Sequence, residues 1–343
     1  SFKIEHEAGL GACFSDIAYE ESGATISSNI HQESDVIIKI NPPSNDEIER
    51  LKDGSCLISL INPFINHQIV NKLVKKNIST FCLELIPRST YAQSMDVLSS
   101  QATVAGYKAV LNAANQMPKF FPMLMTPAGT IKPANILILG AGVAGLQAIA
   151  TASRLGAKVE AFDVRPAARE QVESLGAKFL YMDLDDSAET DSGYAIEMNE
   201  DFIKKEMELL HDASKRVDAI ITTALIFGKK APTLIKDYMV NGMQKGSCII
   251  DLAAENGGNC ELTKPGEIIN HDGIIIDGQL NLPSQVPFHA SQMLSKNISK
   301  LLNDILDDGK IKFDGTPEQI KKSEDKVVQQ FISGNSTLLE SRV

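Results

Sequence analysis

Three glycines, Gly140, Gly142 and Gly145, follow an unbroken apolar run of Ile136, Leu137, Ile138 and Leu139 and open a second apolar stretch through Val143, Ala144 and Leu146. A buried strand that feeds G-x-G-x-x-G and then a helix has the spacing needed to cradle a dinucleotide. Gly140 permits the tight turn, Gly142 lets backbone approach a pyrophosphate, and Gly145 lets the helix sit close on the strand; the first helical amides, at Val143 and Ala144, face the phosphates. The next apolar run, residues 158–162, ends at Asp163, about 20 residues past the glycines, where a carboxylate reaches the adenosine ribose hydroxyls. Asp163 favours NAD over NADP, with the adjoining Val164 a further candidate contact, while Arg165 leaves open a contact with a 2′-phosphate. A site of this kind implies hydride chemistry through a nicotinamide, with the protein supplying position and environment.

Those residues need a framework, and the chain around them alternates in a way that provides one. From residue 33 onward, apolar runs at 36–40, 56–60 and 80–84 alternate with amphipathic stretches at 46–51 and 66–76, a βαβ order that implies a parallel sheet covered on both faces. Small and apolar residues at helical spacing over 95–117, with Ala102, Ala105, Ala109 and Ala113 permitting close packing, predict a long connecting helix. Pro127, Gly129 and Pro133 punctuate residues 121–133 as a linker would. A second βα series has strands expected at 136–139, 159–162, 179–182, 219–222, 248–251 and 274–276, followed by a helix over 290–306 that crosses back to the first domain. The expectation is an α/β chain of two Rossmann-like doubly wound parallel-sheet domains joined by long helices, one of residues 1–125 plus 290–343 and the other of residues 126–289. Beyond Phe313 the tail is polar and charged.

Bulk composition excludes several classes of partner. With 33 basic and 44 acidic residues, the net charge of −11 opposes attraction to nucleic acid, and no polynucleotide partner is expected. Cys13, Cys56, Cys82, Cys248 and Cys260 lack C-x-x-C spacing, which fits a reducing compartment and suggests neither a disulfide framework nor a zinc site. The six histidines also lack ligand spacing, so no metal is expected. No signal peptide opens the chain, and residues 2–7 read like the interior of a strand, as in a fragment. Residues 135–152 are apolar enough to raise the question of a membrane span, but their glycines and change of period suit strand, turn and helix; no transmembrane segment is expected.

Beyond the glycines, residues 85–100 (LIPRSTYAQSMDVLSS), 140–148 (GAGVAGLQA), 170–176 (EQVESLG) and 251–260 (DLAAENGGNC) occur in that order. Together they closely resemble the NAD(H)-binding component, domain I of the alpha subunit, of proton-translocating nicotinamide nucleotide transhydrogenase, over residues 4–302. Alanine dehydrogenase belongs to the same fold family and is the rival. The chain resembles that enzyme in carrying a lysine on an early strand, matched by Lys39. The catalytic histidine after the next strand is missing: residues 56–63 read CLISLINP, and His67 falls in an expected helix. Dehydrogenating an amino acid requires proton transfer, so a missing base argues against that reaction. A third reading, a regulatory nucleotide-binding module, is disfavoured because Arg88, Gln93 and Asp96 occur together.

The transhydrogenase resemblance implies a homodimer that binds NADH in the cleft between its domains. It further implies delivery of hydride to NADP(H) held on a partner component, coupled to a membrane-spanning proton-translocating component. It places the chain as a soluble peripheral component at the cytoplasmic face of the bacterial inner membrane, or on the matrix side of an organelle membrane. By the same resemblance, Arg88, Gln93 and Asp96 form a linked polar group over the nicotinamide with Ser99 beside it. Gln93 reaches toward the partner's NADP(H), while Arg88 and Asp96 orient one another and the carboxamide. The plain alternative is a helix cap with a surface ion pair. A mobile lid is implied within residues 183–210, with Tyr194 and Met198 as its candidates and a solvated loop as the alternative. Thr222, Thr223, Ala224, Leu225, Gly278 and Asn281 lie at the carboxyl ends of expected strands, where the switch-point rule puts contacts with the cofactor. The chain departs from the family in lacking its usual opening strand and basic loop, and the membrane-spanning segments that follow in some members.

Overall fold

The structure, a computed structural model, describes residues 1–181, 200–226, 229–307, 310–311 and 322. The chain divides into two compact units, Ser1–Gln101 with Pro287–Val343, and Ala102–Val286.

In the first unit, β1 (Lys3–Ile4), α1 (Asp16–Glu21), β2 (Thr25–Ile26) and α2 (Ile30–Glu33) precede the main βα series. That series is β3 (Val36–Ile38), α3 (Asn45–Arg50), β4 (Cys56–Ser59), α4 (His67–Lys75) and β5 (Ser79–Cys82). Strands β3, β4 and β5 form a parallel sheet in that order, with Val36 opposite Cys56 and Cys56 opposite Ser79; β1 and β2 make a separate parallel pair. The period of two sends alternate side chains to opposite faces. Ile37 and Leu57 meet Ile48 and Leu73 of α3 and α4, whereas Cys56 and Ile58 meet Leu83 and Met95 on the other side. Helix α3 starts where the sequence can cap it. Ser44 Oγ accepts from the Glu47 N–H at 3.3 Å, and Glu47 Oε2 accepts from the Ser44 N–H at 2.6 Å, a reciprocal capping box.

The long helix α5 (Val97–Gln116) begins in this unit and ends in the second. Its Ala109, Val110 and Ala113 are wholly buried with Ile136 and Ile138, so the units divide between Gln101 and Ala102 rather than at residue 125. The stretch expected to act as a linker folds instead. Strands β6 (Leu124–Thr126) and β7 (Gly129–Ile131) pair antiparallel, and Phe121 is buried in the second unit's core.

The second unit continues through β8 (Asn135–Leu139), α6 (Val143–Arg154), β9 (Lys158–Phe162), α7 (Ala168–Ser174), β10 (Lys178–Phe179) and α8 (Glu200–Ser214). After these come β11 (Ala219–Thr222), α9 (Asp237–Asn241), β12 (Cys248–Asp251), β13 (Ile268–His271) and β14 (Ile274–Asp277). Its seven strands lie in the order β10-β9-β8-β11-β12-β14-β13, all pairs parallel except β13 with β14. Order reverses between β8 and β11, which makes the switch point of a doubly wound sheet. Both faces are covered: Ile136 and Ile138 point into one buried cluster, Leu137 and Leu139 into the other. That is why these strands read as continuous apolar runs without alternation. The edge strand β13, unforeseen from sequence, is joined to β14 by Asp272 (φ 49°) and Gly273 (φ 87°), residues suited to a tight hairpin.

Helix α10 (Pro287–Ile305) belongs to the first unit, where its Ile298 and Leu301 pack with Ile58, Leu83 and Met95; β15 (Leu306–Asp307) and β16 (Lys310–Ile311) form a short antiparallel pair after it.

Candidate functional site

At the switch point the strand β8 turns through Gly140, whose φ of 96° lies in the region that favours glycine. The turn is tied on both sides: Gly140 N–H donates to Phe162 O at 2.8 Å, and Thr223 N–H donates to Leu139 O at 2.8 Å. Gly145 brings α6 against this turn so closely that a Cβ there would lie 1.8 Å from Gly140 O. Gly142 is different. A Cβ on it would meet nothing within 4 Å, so the backbone at the start of α6 faces open space. No side chain caps α6, and its first internal hydrogen bond runs from Leu146 N–H to Gly142 O at 2.8 Å. The amides of Val143, Ala144 and Gly145 therefore have no carbonyl within the helix and, with the helix dipole, favour an anion. A pyrophosphate fits what these residues present.

Asp163 follows β9 as the spacing anticipates, with its side chain 7% exposed. Its Oδ2 accepts from Ala141 N–H at 2.7 Å, which ties the carboxylate to the glycine turn itself. Arg165 also engages it, with Nε on Oδ1 and Nη2 on Oδ2, each at 2.9 Å. Burial works to raise the carboxyl, but the bonds from Arg165 and from the Ala141 and Arg165 amides outweigh it and hold it below the usual carboxylate range. Val164 is half-buried beside it.

The residues on the other side of the switch point divide by role. Thr222 is completely buried, and its hydroxyl donates to Asp251 Oδ1 at 2.9 Å, so its side chain is committed inside the sheet. Thr223 bonds Gly140 O at 3.0 Å through its Oγ1 and lies against the glycine turn. Ala224 is pinned by Asn259, whose Oδ1 accepts from the Ala224 N–H at 3.0 Å and whose Nδ2 donates to the Ala224 carbonyl at 2.9 Å. Asn259 is in turn held by Asp251, which also accepts from Ala253, Cys260 and Thr263. The run of residues 251–260 thus supports the site from within. Leu225 (55% exposed), just past β11, and Val143 (43% exposed), at the start of α6, offer apolar surface at the switch point. Gly278 is buried where a Cβ would lie 2.4 Å from Lys264 O, a packing requirement, and Asn281 is exposed in left-handed backbone (φ 50°) with its N–H on Glu255.

In the first unit the expected polar group is partly assembled. Asp96 caps α5: its Oδ1 accepts from Ser99 N–H at 2.9 Å and its Oδ2 from Ser99 Oγ at 2.6 Å. Gln93 is exposed one short turn earlier, its N–H on Ser89 O at 2.9 Å. Arg88 is exposed, and no ion pair or hydrogen bond joins it to Asp96 or Gln93 among the described residues. Helix α10 steadies this loop, with Asn297 Nδ2 donating to Ser94 O at 2.8 Å and Tyr91 Oη donating to Asp304 Oδ2 at 2.8 Å. The lid candidates Tyr194 and Met198 lie outside the described residues.

The groups that the rival reading needs are engaged elsewhere. Lys39 is ion-paired with Glu47. Burial works to raise the Glu47 carboxyl, yet the bonds from Lys39 and Ser44 bring it down to about 2. At the carboxyl end of β4, Asn62 (φ 50°) and Ile61 both donate backbone N–H bonds to Glu84, and His67 is the first residue of α4. Among the described residues no group of three or more His, Cys, Asp or Glu side chains is placed to hold a metal ion, and no helix is long and apolar enough to cross a membrane.

Comparison with known proteins agrees with this geometry. The alanine dehydrogenase/PNT N-terminal domain matches residues 1–105 and the corresponding C-terminal domain matches residues 109–329. An NAD(P) transhydrogenase subunit alpha polypeptide of Rhodospirillum rubrum is 47% identical over 314 residues, covering 89% of this chain and 82% of that protein. The crystal structure of a transhydrogenase from Sinorhizobium meliloti superimposes with a TM-score of 0.81 at 42% identity, covering 89% of this chain and 84% of that one. An L-alanine dehydrogenase structure shares the fold with a TM-score of 0.72 at 22% identity, over 96% of this chain and 90% of that one. With both domains matched and identity this high toward one branch, the chain belongs to the alanine dehydrogenase/PNT family, within which it groups with the NAD(P) transhydrogenase alpha subunits.

Proposed function

We propose that this chain is the NAD(H)-binding component of a proton-translocating NAD(P) transhydrogenase, passing hydride between NADH held here and NADP+ held on a partner component. The observation that carries the reading is the uncapped start of α6 at the switch point, open at Gly142 and flanked by Asp163. Gly142, Val143, Ala144 and Gly145 would hold the pyrophosphate, and Asp163 the adenosine ribose. Ala224 and Leu225 would line the opposite wall, with Thr223 fixing the turn between the two strands. When bound, the nicotinamide supplies or takes up the hydride. Transfer between two nicotinamides asks for no acid or base; it asks for proximity, orientation and exclusion of water. The chain's part is therefore positional. Gln93, exposed at the head of α5, extends toward the partner's nucleotide, Asp96 holds Ser99 and the start of α5, and Arg88 completes the group when it turns inward.

The partners are an NADP(H)-binding component and a membrane-spanning proton-translocating component, and the chain works as a homodimer. It sits as a peripheral component at the cytoplasmic face of a bacterial inner membrane or the matrix face of an organelle membrane. The committed pairing of Lys39 with Glu47 favours this reading over an amino-acid dehydrogenase. Two assays on the purified chain separate them: NADH oxidation with pyruvate and ammonium, and reduction of an NAD analogue by NADPH after adding a transhydrogenase NADP(H)-binding component. Activity is expected in the second alone; turnover in the first would make the chain an alanine dehydrogenase.

A further inference from the structure

Asp163 is saturated. Its Oδ1 accepts from the Arg165 backbone N–H and Arg165 Nε, each at 2.9 Å, and its Oδ2 accepts from Ala141 N–H at 2.7 Å and Arg165 Nη2 at 2.9 Å. A carboxylate offers about four lone-pair sites, and here each carries a donor. The two amide donors are built into the glycine turn and the chain after β9 and cannot leave without unmaking them. The guanidinium can leave, since the Arg165 side chain is 54% exposed at the end of a flexible stem while that of Asp163 is 7% exposed. Ribose hydroxyls that donate to Asp163 must therefore displace the Arg165 fork. That fork is also the group best shaped to bind a phosphate through two parallel bonds.

We propose that Arg165 is a latent 2′-phosphate-binding cation masked by Asp163, so that one carboxylate both receives the adenosine ribose hydroxyls and withholds the fork from a phosphate. This rests on reading the switch point as an NAD(H) site. A 2′-phosphate arriving in the native site could take the guanidinium only by leaving the Asp163 carboxylate beside it, partly buried and like-charged. NADH meets no such repulsion, but it competes with Arg165 for Asp163. Two opposite consequences follow for the two members of the pair. Removing the arginine relieves the competition and tightens NADH binding. Neutralising the aspartate frees the fork and admits NADPH.

The test is titration of NADH and of NADPH into the full chain, followed by nucleotide fluorescence or calorimetry, for the native protein, D163N, R165A and the double variant D163N/R165A. R165A is expected to tighten NADH about threefold or more. D163N is expected to weaken NADH and to gain about tenfold or more in NADPH affinity, the scale of a charge-assisted bond pair, and the double variant to lose that gain. An NADH affinity in R165A that is unchanged or weaker, or a D163N variant that folds by circular dichroism and gains no NADPH binding, overturns the proposal. Should D163N fail to fold, R165A decides alone, because its side chain is largely at the surface. A native chain that binds neither nucleotide would instead overturn the reading of the site itself.

Discussion

Gly145 and Gln93 mark the two extremes of what a single residue does here. Gly145 is wholly a matter of contact: an added methyl carbon would lie 1.8 Å from Gly140 O, so α6 must back away from β8 to admit it. Gly145→Ala should lower stability by about 1–3 kcal/mol, the cost of overpacking, and abolish NADH binding as the helix amides leave register. Thermal melting and NADH fluorescence on the same sample check both, and native-like binding in the variant would remove the close-packing role. Gln93 is exposed, and among the described residues no hydrogen bond involves its side chain. Gln93→Asn should leave the melting temperature and NADH affinity near native while slowing hydride transfer with the partner component by about tenfold or more, because shortening a positioning group misplaces the reacting pair. Unchanged turnover would take Gln93 out of the reaction.

Among elements, α10 and α5 set where the loop of residues 88–96 stands. Within the first unit, Asn297 of α10 holds the Ser94 carbonyl, and Asp304 of the same helix receives Tyr91 Oη and Lys300 Nζ, the latter at 3.1 Å. A loop gripped at Tyr91 and at Ser94, two residues before Gln93 and one after it, keeps Gln93 in place without touching its side chain. Asn297→Ala should therefore reduce the hydride-transfer rate several-fold, about one lost hydrogen bond's worth, while NADH affinity stays within about twofold. A parallel fall in NADH affinity and stability with no change in rate would make the contact purely structural. In the second unit α5 plays a comparable part for the dinucleotide turn. Its Gly106 crosses α6 so closely that a Cβ there would lie 2.1 Å from Ala144 O, which fixes the start of α6 from behind.

At the scale of the whole molecule, one buried acid makes stability depend on pH near neutrality. Glu206 of α8 is 4% exposed, and burial raises its carboxyl from 4.5 to about 7. Because its value in the fold lies above that in the unfolded chain, the fold holds this proton more tightly. The contribution is complete below about pH 4.5 and is lost as pH rises through 7. Glu206→Gln should then melt higher than the native chain at pH 8, by up to about 3 kcal/mol in stability, and close to it at pH 4.5. Urea unfolding at both pH values measures this, and a variant less stable at pH 8 would mean that the ionised carboxylate has a partner in the fold. The chain's net charge of −11 adds to the cost of another negative charge at high pH.

What the chain determined by itself is what local spacing determines. The strand, the three glycines, the helix and Asp163 span fewer than thirty residues, and the apolar runs of β8, β11 and β12 announce strands buried on both faces, so the dinucleotide turn and the parallel sheet were legible without coordinates. Tertiary structure decided the rest, because it depends on which distant groups meet. Thr222 and Thr223 are equivalent on paper, yet strand alternation turns the first inward to Asp251 and the second toward Gly140. The division inside α5 follows from Ala109 and Ala113 packing on Ile136 and Ile138, a contact no local pattern contains. Asn259 reaches Ala224 across 35 residues of chain. Strand β13 had only its Asp272–Gly273 turn to announce it, since an edge strand with exposed alternate residues lacks the apolar run of its neighbours. Even Arg165, two residues from Asp163, could be read as a phosphate ligand or as a bystander until the folded turn showed the carboxylate already holding it.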